Sequence, residues 1–482
     1  MVERHWIAGK LTASTGQKVL PVKNPATEAV IAHIPVGTPE DVAHAVSSAH
    51  RARAGWRALG PAGRRPLLLR AAARIEHEAD SLADVLTAEN GKPLPQARAE
   101  VMGAASWLRE FAELAVHFRS GSQGAPADEL VFQRWEPRGT AACIVPWNFP
   151  LQVAMETLAP NLAVGNTVVI KPSEKTPLSL LYMASHAFDH LPEGVVNVLL
   201  GDGPNAGEAL VQHAGIDVVM FVGSVKTGRH IGQICGQRTT KAILELGGKD
   251  AFIVDEGVNV ALAARLVADS CFANTGQICT STERVFVHRS VLDPFVQELA
   301  AATAALRVGD GREDGVDLGP LVDDLQLATV EAHVADAQAH GAVVVAGGER
   351  LSRPGYFYPP TIMVLPDQGA SLLMRSETFG PVAPLVPFDT FDEAIALAND
   401  SEYGLAAIVY SNNANHVLSA VESLRAGMIK VNTRRGKAPG ATSEPFGASG
   451  LGYGYGLEVL AELSRQKSVQ WRQMPLAEEL TS

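Results

Sequence analysis

The feature that most constrains the fold is a regular alternation of short apolar runs with helical stretches between residues 139 and 254. The apolar runs are AACIV, NTVVIKP, VVNVLLG, VVMFVGS and KAILELGG, and segments such as PLSLLYMASHAFDHL and NAGEALVQHAG separate them. Parallel strands need long crossover connections, which are usually helices. The order therefore predicts an α/β fold with a parallel, doubly wound sheet and helices on both faces.

Three further segments complete the predicted organisation. Apolar residues recur at helical spacing from Pro39 to about Phe118, which predicts several successive helices. Residues 119–137 indicate a hairpin that leads into a core strand. Residues 255–430 again alternate long helices with strands such as AVVVAGG and GMIKVN, which predicts a second α/β domain. Because 482 residues exceed a single hydrophobic core, two or more domains are expected.

Charge and cysteine usage exclude some partners and compartments. A net charge of −12 argues against a nucleic-acid surface or an anionic membrane surface, which need clustered Lys and Arg. Prolines and asparagines interrupt the apolar segment 139–170, so no membrane span is expected. The N-terminus lacks the apolar core of a secretory signal. Four cysteines without metal-ligand spacing suit a reducing, cytoplasmic environment and predict no metal site.

Polar or glycine-rich motifs follow four of the predicted parallel strands. Open α/β sheets bind ligands beyond the carboxyl ends of their strands, and these ends meet at one rim. The motifs are VPWNFP (145–150), IKPSEKTP (170–177), FVGSVKTG (221–228) and LELGGKD (244–250). We therefore expect the four motifs to converge.

Two of these motifs have the chemistry of a nucleotide site. Gly223 and Ser224 lie between a strand and a helix start, an arrangement that directs backbone N–H groups at an anion such as a pyrophosphate. The alternative is an ordinary N-cap at Ser224. Lys171 and Glu174 follow another strand, where a carboxylate can bind ribose hydroxyls and repel a 2′-phosphate. The alternative there is a solvated loop.

Cys279 differs from the other cysteines in its surroundings, NTGQICTSTERV. A thiol with a pKa of about 8.5 is only slightly ionised at neutral pH, so a nucleophile needs nearby N–H dipoles or a base. An isolated cysteine is usually a small buried hydrophobe. That second interpretation suits Cys143, Cys235 and Cys271, which lie in apolar or helical runs.

Six motifs together resemble the NAD(P)-dependent aldehyde dehydrogenases. PWNFP, KPSE, GSVKTG, ELGGK, NTGQIC and ETFGP occur in that family's order, between Trp6 and the C-terminal QKSVQW. The resemblance implies the aldehyde dehydrogenase fold. Its parts are a Rossmann-like cofactor domain (1–118 and 138–247), an α/β catalytic domain (248–450) and a small β oligomerisation extension (119–137 and 451–482). A homodimer or homotetramer follows from the same resemblance.

The resemblance also implies a mechanism that oxidises an aldehyde to a carboxylic acid. Cys279 would attack the aldehyde to form a thiohemiacetal, whose oxyanion the Asn148 amide and the Cys279 N–H would stabilise. Hydride transfer would leave a thioester, and Glu245 would activate the water that releases the acid.

The cofactor that the resemblance implies is NAD, with NADP possible. Lys171 and Glu174 correspond to residues that hold the adenosine ribose, and Glu377 corresponds to one that holds the nicotinamide ribose. Because Glu174 would repel a 2′-phosphate, NAD is favoured. The remaining residues expected near the cofactor are Ser173, Gly223, Ser224, Trp147 and Phe379.

The substrate is an aldehyde whose class the sequence leaves open. The expected pocket residues are Phe149, Val153, Glu156 and Phe446. Relatives that oxidise succinate semialdehyde commonly carry arginines where this chain has Glu156 and Ala273, so that substrate is disfavoured. Glu156 would suit a cationic aminoaldehyde, or it pairs with a neighbouring base or faces solvent. The cationic residues that would instead suit a carboxylate are Arg434, Arg435 and Lys437.

The C-terminal region departs from the family pattern. The family usually reads Pro-Phe-Gly-Gly, then a Lys, Ser-Gly and Gly-Arg-Glu, whereas residues 444–458 read EPFGASGLGYGYGLE. The loss of the Lys and the Arg-Glu predicts a remodelled substrate mouth or subunit contact.

Three rival functions are open to this scaffold. A CoA-acylating relative has no need of Glu245, and a structural or binding protein would be free to lose Cys279 and Asn148. A cysteine hydrolase needs a partner histidine, which the motifs lack.

Overall fold

The computed structural model describes residues 3–118, 120–124, 128–434 and 440–472. Its α-helices are α1 (Pro39–Ala58), α2 (Gly60–His77), α3 (Ala79–Asn90), α4 (Leu94–His117), α5 (Pro150–Val164), α6 (Leu178–Ala187), α7 (Glu208–Gln212), α8 (Val225–Gln237), α9 (Val260–Phe272), α10 (Leu292–Ala304), α11 (Asp324–Ala339), α12 (Leu372–Arg375), α13 (Phe391–Asn399), α14 (Ala414–Ser423) and α15 (Glu458–Glu462).

The strands form four sheets. They are β1 (His5–Ile7), β2 (Lys10–Thr12), β3 (Val19–Lys23), β4 (Val30–Pro35), β5 (Ser122–Gln123), β6 (Glu129–Pro137), β7 (Thr140–Ile144), β8 (Thr167–Lys171), β9 (Val196–Val198), β10 (Val218–Val222), β11 (Lys241–Glu245), β12 (Asp250–Val254), β13 (Thr282–His288), β14 (Val343–Ala346), β15 (Thr361–Val364), β16 (Val382–Phe388), β17 (Ala406–Tyr410), β18 (Met428–Val431), β19 (Gly450–Leu451) and β20 (Ser464–Arg472).

The first large sheet has the strand order β19-β11-β10-β7-β8-β9-β1-β2. Its five inner strands, β11 to β9, are parallel, and antiparallel strands lie at both edges. Strands β7 and β8 are buried along their whole length, because helices cover both faces. The predicted parallel, doubly wound sheet is therefore confirmed.

The two faces of this sheet pack against different helices. Ala141 and Cys143 of β7 belong to one apolar core with α2 to α6, whereas Ala142 and Ile144 belong to another with α1 and α8. Alternate residues of a strand point to opposite faces, which explains how one short apolar run contributes to both cores.

The second large sheet has the order β14-β15-β16-β13-β12-β17-β18. Its strands are parallel except for the edge strand β14. Alternate residues of β12 again divide between two cores, with Ala251 and Ile253 in one and Phe252 and Val254 in the other. The second α/β unit predicted for residues 255–430 is confirmed, and it begins at β12.

A three-stranded antiparallel sheet, β20-β6-β5, joins the C-terminal strand to the predicted hairpin. Strands β20 and β6 pair from Ser464 with Pro137 to Arg472 with Glu129. Positions 119, 125–127 and 473–482 of the expected extension lie outside the described residues. No helix in the described ranges is long and apolar enough to cross a membrane.

This topology sets the position of the site. Strands β11, β10, β7 and β8 are neighbours and run in the same direction, so the four motifs that follow them meet at one rim, as predicted. The loop that carries Cys279 precedes β13 of the other sheet and faces the same rim.

Candidate active site

A cavity of about 600 Å³ lies between the two large sheets. Residues from both sheets line it, so neither sheet alone forms the site. The predicted site residues in its lining are Trp147, Asn148, Phe149, Val153, Glu156, Gly223, Ser224, Glu245, Cys279, Glu377 and Phe379. The structure therefore brings the three predicted catalytic residues together, although Asn148 and Cys279 are far apart in sequence.

The loop before Cys279 has an unusual backbone. Asn274, Thr275 and Gly276 all have positive φ angles, of 49°, 58° and 73°. Thr275 is β-branched and rarely adopts this conformation, and its Oγ1 donates to the Gly319 carbonyl at 2.9 Å. A side chain at Gly276 would collide with the backbone of Gly380. The small residues of NTGQIC thus let this loop pack tightly against the second sheet's loops.

Asn148 is buried beside this loop. Its Nδ2 donates to the Gln277 carbonyl at 2.9 Å, and its own carbonyl accepts from Nδ2 of Asn274 at 3.2 Å. Because Gln277 is two residues from Cys279, these hydrogen bonds fix the amide next to the nucleophile. One of the two Nδ2 hydrogens of Asn148 is used in this way, and the residue lines the cavity together with Cys279.

Lys92 is a supporting residue that the sequence analysis missed. Its Nζ donates to the Asn148 carbonyl at 2.7 Å and forms a buried ion pair with Glu100. Burial lowers the pKa of Lys92, and the Glu100 carboxylate acts in the opposite direction. The Nζ also lies 3.9 Å from the centre of the Phe149 ring. In the sequence, a lysine and a glutamate eight residues apart have the appearance of ordinary surface residues. No sequence pattern therefore indicates that Lys92 and Glu100 are buried together.

Glu245 ends strand β11. Its carbonyl accepts from the Gly223 N–H at 3.0 Å, which ties the predicted base to the predicted phosphate turn. On its other side Glu245 pairs with Gly450 of the edge strand β19. Glu245 and Cys279 thus reach the same cavity from elements of different sheets.

Glu377 is a second half-buried carboxylate in the cavity. Its Oε1 accepts from the Gly248 N–H at 3.0 Å. Burial, together with the neighbouring Glu283 carboxylate, raises the pKa of Glu377 to about 7. Phe379, two residues later, has a φ of 53° and packs edge-on against Trp147 at 5.4 Å.

The segment that carries Glu377 and Phe379 is held in place by Glu283 and Lys249. Neither residue was expected from the sequence. The Lys249 Nζ donates to Glu283 Oε2 at 2.5 Å. The Glu283 carboxylate also accepts from the N–H groups of Thr378 and Phe379, at 2.7 and 2.8 Å. A glutamate inside the buried strand β13 was the available signal, because such a charge needs an internal partner.

The predicted phosphate turn is followed by an open helix end. Ser224 is the N-cap of α8, and its Oγ accepts from the Thr227 N–H at 3.4 Å. The capping interpretation is therefore confirmed, and it is compatible with anion binding because the Gly223 and Ser224 surfaces still line the cavity. The phosphate role of these two residues stays a prediction.

Lys171, Ser173 and Glu174 lie beside the cavity and outside its lining. The Lys171 Nζ is buried and donates to the carbonyls of Pro172 and Gly201 at 2.6 and 2.9 Å. The Glu174 carboxylate lies 3.8 Å from this Nζ, with 40% of its side chain exposed. A dinucleotide suits these residue types, since the carboxylates of Glu174 and Glu377 can accept from ribose hydroxyls and a helix N-terminus favours a phosphate.

The substrate side of the cavity is formed by α4, α5 and the C-terminal segment. Glu156 lines it and accepts from Nε2 of Gln152 at 3.3 Å. Phe446 is 45% exposed and lies outside the cavity lining, because its N–H is bound to the Gly404 carbonyl on another turn. Arg434 forms an ion pair with Asp269. Arg435 and Lys437 lie outside the described residues.

The other cysteines are buried, as predicted. They are Cys143, Cys235 and Cys271. Burial raises the pKa of each thiol, that of Cys143 to about 12. Cys279 is the partly exposed member of the four and the one in the cavity.

Comparisons with known proteins cover nearly the whole chain. Residues 11–469 match the model of the aldehyde dehydrogenase family. The chain is 36% identical over 462 residues to lactaldehyde dehydrogenase of Escherichia coli (strain K12), covering 95% of this chain and 96% of that protein. It is 37% identical over 474 residues to phenylacetaldehyde dehydrogenase of Pseudomonas fluorescens, covering 96% and 94%.

A solved structure agrees with these sequence comparisons. A mutant of P. syringae indole-3-acetaldehyde dehydrogenase, in complex with NAD+ and IAA, superposes with a TM-score of 0.95. The two proteins are 33% identical, and the match covers 98% of this chain and 96% of that one.

Proposed function

The chain belongs to the aldehyde dehydrogenase family, and we propose that Cys279, Asn148 and Glu245 carry out its reaction. The expected fold and the expected oxidation of an aldehyde with NAD(P) are confirmed by the family and its members, and the CoA-acylating and non-catalytic alternatives are not supported. The observation that carries the residue assignment is the meeting of these three residues in one cavity.

The first step uses Cys279 and Asn148. Cys279 reacts as the thiolate: its sulfur bonds to the aldehyde carbon, the carbon–oxygen π bond breaks, and the oxygen becomes the oxyanion of the thiohemiacetal. The Asn148 Nδ2 and the Cys279 N–H stabilise that charge. Removing one such donor typically costs about 2.7–4 kcal/mol of transition-state stabilisation. The hydrogen bonds of Asn148 to the Cys279 loop support this role.

The cofactor site comprises Gly223, Ser224 and Glu377 in the cavity, with Glu174 and Lys171 at its edge. Bound NAD(P) supplies the acceptor for the hydride that leaves the thiohemiacetal carbon, so that Cys279 is left with an acyl group as a thioester. Ser173, Trp147 and Phe379 complete the expected contacts. NAD is favoured over NADP, because a 2′-phosphate near Glu174 would meet a negative charge.

Glu245 acts in the second half of the reaction. Its carboxylate accepts a proton from water, whose oxygen bonds to the acyl carbon. The bond between that carbon and the Cys279 sulfur breaks, and the products are the acid and the thiolate. General base catalysis contributes about 10²–10⁴-fold to such a rate.

Cys279→Ala and Glu245→Gln test these assignments. Cys279→Ala is expected to lose turnover while NAD still binds, as measured by fluorescence titration. Glu245→Gln is expected to give a burst of NADH without steady turnover, because the thioester forms and is not hydrolysed. Cys143→Ala is the matched control, since Cys143 is buried outside the cavity. Near-normal dehydrogenase activity of the Cys279→Ala protein would refute the nucleophile assignment.

The substrate class follows from the walls of the cavity. Phe149, Val153 and Trp107 are apolar or aromatic, and Glu156 adds a negative charge. A carboxy-aldehyde would meet like charge at Glu156, so aliphatic, aromatic and amino-aldehydes are expected to react faster. An NAD-reduction screen over these four classes, with NADP in parallel, tests the ranking. Phe446 is expected to have little effect, because it lies outside the cavity lining.

The domain division and assembly are further parts of the proposal. Residues 1–118 and 138–247 form the cofactor domain, 248–450 the catalytic domain, and 119–137 and 451–482 the oligomerisation extension. The separate sheets support a division into three parts, although β19 (Gly450–Leu451) pairs with β11 in the sheet of the cofactor domain. We infer a homodimer or homotetramer from the exposed sheet of the extension.

The reduced thiol that the mechanism requires, together with the four free cysteines, favours a cytoplasmic enzyme.

A further inference from the structure

The segment from Gly450 to Gly456 lies directly against the strand that carries Glu245. Gly450 and Leu451 pair with Glu245 and Leu244, and the chain then turns back past the Glu245 side chain. This is the segment in which the sequence departs from the family pattern. Its residues are therefore placed to act on the proposed base.

Gly454 lies next to the Glu245 side chain, which occupies the space that a side chain at position 454 would fill. A Cβ at Gly454 would lie 2.8 Å from both Cγ and Cδ of Glu245, and closer still to Oε1. Real Cβ atoms essentially never approach another heavy atom to less than 3.0 Å. Gly454 is absent from the positive-φ glycines of the described residues, so its backbone does not itself require glycine. What requires glycine here is the position of the Glu245 carboxylate.

Tyr455 closes the same side of the cavity. It is 5% exposed and lines the cavity, its hydroxyl is hydrogen-bonded to Ser443, and its carbonyl accepts from Thr442 Oγ1 at 3.0 Å. Burial raises the pKa of the Tyr455 hydroxyl, and the nearby carboxylate of Glu245 acts in the same direction. The phenol therefore stays neutral beside the base.

We propose that Gly454 and Tyr455 are positioning residues for Glu245. Gly454 leaves the volume that the carboxylate occupies, and Tyr455, held by Ser443, forms the wall next to it. The proposal rests on the proposed function, because it concerns the step in which Glu245 takes a proton from water. That water bonds to the acyl carbon while the bond from carbon to the Cys279 sulfur breaks.

Gly454→Ala tests the first half of the proposal. The added methyl group forces the Glu245 carboxylate out of its place, so the thioester is expected to persist at least about tenfold longer. The upper limit is the loss of about 10²–10⁴-fold expected for removing the base itself. The acyl-enzyme lifetime is measured by acid quenching and intact-protein mass, and the NADH burst is expected to keep its amplitude. Gly55→Ala, at an exposed position with open space around it, is the control.

The double variant Gly454→Ala with Glu245→Gln separates the possible outcomes. If Gly454 acts through Glu245, Gly454→Ala slows hydrolysis in the wild type and adds nothing once the base is removed. Equal slowing in both backgrounds overturns the positioning role, as does an unchanged acyl-enzyme lifetime in Gly454→Ala. If Glu245→Gln alone leaves steady turnover intact, the base assignment of the proposed function fails instead.

Tyr455→Ala and Tyr455→Phe test whether the Tyr455 side chain positions the Glu245 carboxylate. These tests remain valid even if the Gly454→Ala protein does not fold. Tyr455→Ala is expected to lengthen the acyl-enzyme lifetime with the burst kept. Tyr455→Phe, which keeps the ring, is expected to recover most of the rate. Loss of the burst and of NAD binding together with hydrolysis in Tyr455→Ala would overturn the proposal, because it would show a general structural role.

Discussion

The surroundings of the Glu377 carboxylate disfavour its ionised form. Glu377 is half-buried, it lies close to the second carboxylate Glu283, and Lys249 Nζ is bound to that second carboxylate at 2.5 Å. These conditions raise its pKa from 4.5 to about 7. At neutral pH the residue is therefore part protonated, although a ribose-binding role favours the ionised, accepting form.

The pH dependence of stability checks this environment. A pKa raised on folding gives stability that is fully present below about pH 4.5 and is lost as pH rises through about 7. The difference between the unfolded and the folded pKa corresponds to about 3 kcal/mol in the free energy of unfolding, at about 1.36 kcal/mol per unit of pKa. Glu377→Gln is expected to remove this loss, so its Tm falls less than that of the wild type between pH 5 and pH 8.

Glu298→Gln, on the exposed side of α10, is the control for this measurement. It removes one carboxylate without changing the buried cluster, so the pH dependence of its Tm is expected to match that of the wild type. If Glu377→Gln shows the same fall in Tm as the wild type, the Glu377 carboxylate does not titrate as described.

Single residues differ in how far the sequence predicts them. Cys279, Asn148 and Glu245 lie in motifs whose chemistry is visible locally, and the structure brings them together. Lys92 and Glu283 could not be predicted in the same way, because their partners lie on other elements. The steric role of Gly454 depends on a contact with a residue about two hundred positions away, which no local pattern encodes.

Helices α5 and α6 begin without a capping side chain of their own. Phe149 before α5 and Pro177 before α6 make no side-chain cap. Glu100 accepts from the N–H groups of Leu151 and Gln152 at the start of α5, with its Oε1 2.9 Å from the Leu151 nitrogen. Glu89 serves the start of α6 in the same way. The region from α3 to α4 thus holds the loop that carries Asn148.

Lys92→Met is expected to destabilise this arrangement strongly. It leaves the buried Glu100 carboxylate without its cation, and breaking a buried ion pair in this way typically costs about 3–5 kcal/mol. Denaturant unfolding measures the loss, and a lower rate of thiohemiacetal formation is expected because Asn148 loses its support.

The double variant Lys92→Met with Glu100→Gln provides the matched comparison. Because a neutral amide no longer needs a cation, the double variant is expected to be more stable than Lys92→Met alone. If the losses in the free energy of unfolding of the two single variants simply add in the double variant, the broken ion pair is not the cause of the loss.

The elements themselves were predictable to different extents. The βαβ alternation predicted the parallel sheet and the common rim, because period and order are local properties of a sequence. The pairing of β6 with β20 joins residues more than three hundred positions apart, so only the family resemblance indicated it. The domain boundaries stay a prediction, since the sheets fix where the strands lie and not where the linkers end.

On the scale of the whole molecule, the three-stranded sheet exposes a pair of large apolar residues. Trp471 and Leu130 are opposite each other on β20 and β6, and they are 65% and 51% exposed. Because exposed apolar patches often mark protein contacts, we propose that this pair is part of a subunit interface. A second copy of the chain is the partner that the family resemblance implies.

Trp471→Glu tests this interface in the intact protein. A charge in a buried apolar contact is costly, so the variant is expected to sediment as a smaller species than the wild type in analytical ultracentrifugation. Gln470→Glu is the control, because the adjacent residue adds the same charge on the opposite face of the strand. Circular dichroism checks that both variants stay folded. Equal sedimentation of wild type, Trp471→Glu and Gln470→Glu would mean that subunits do not meet through this face of the sheet.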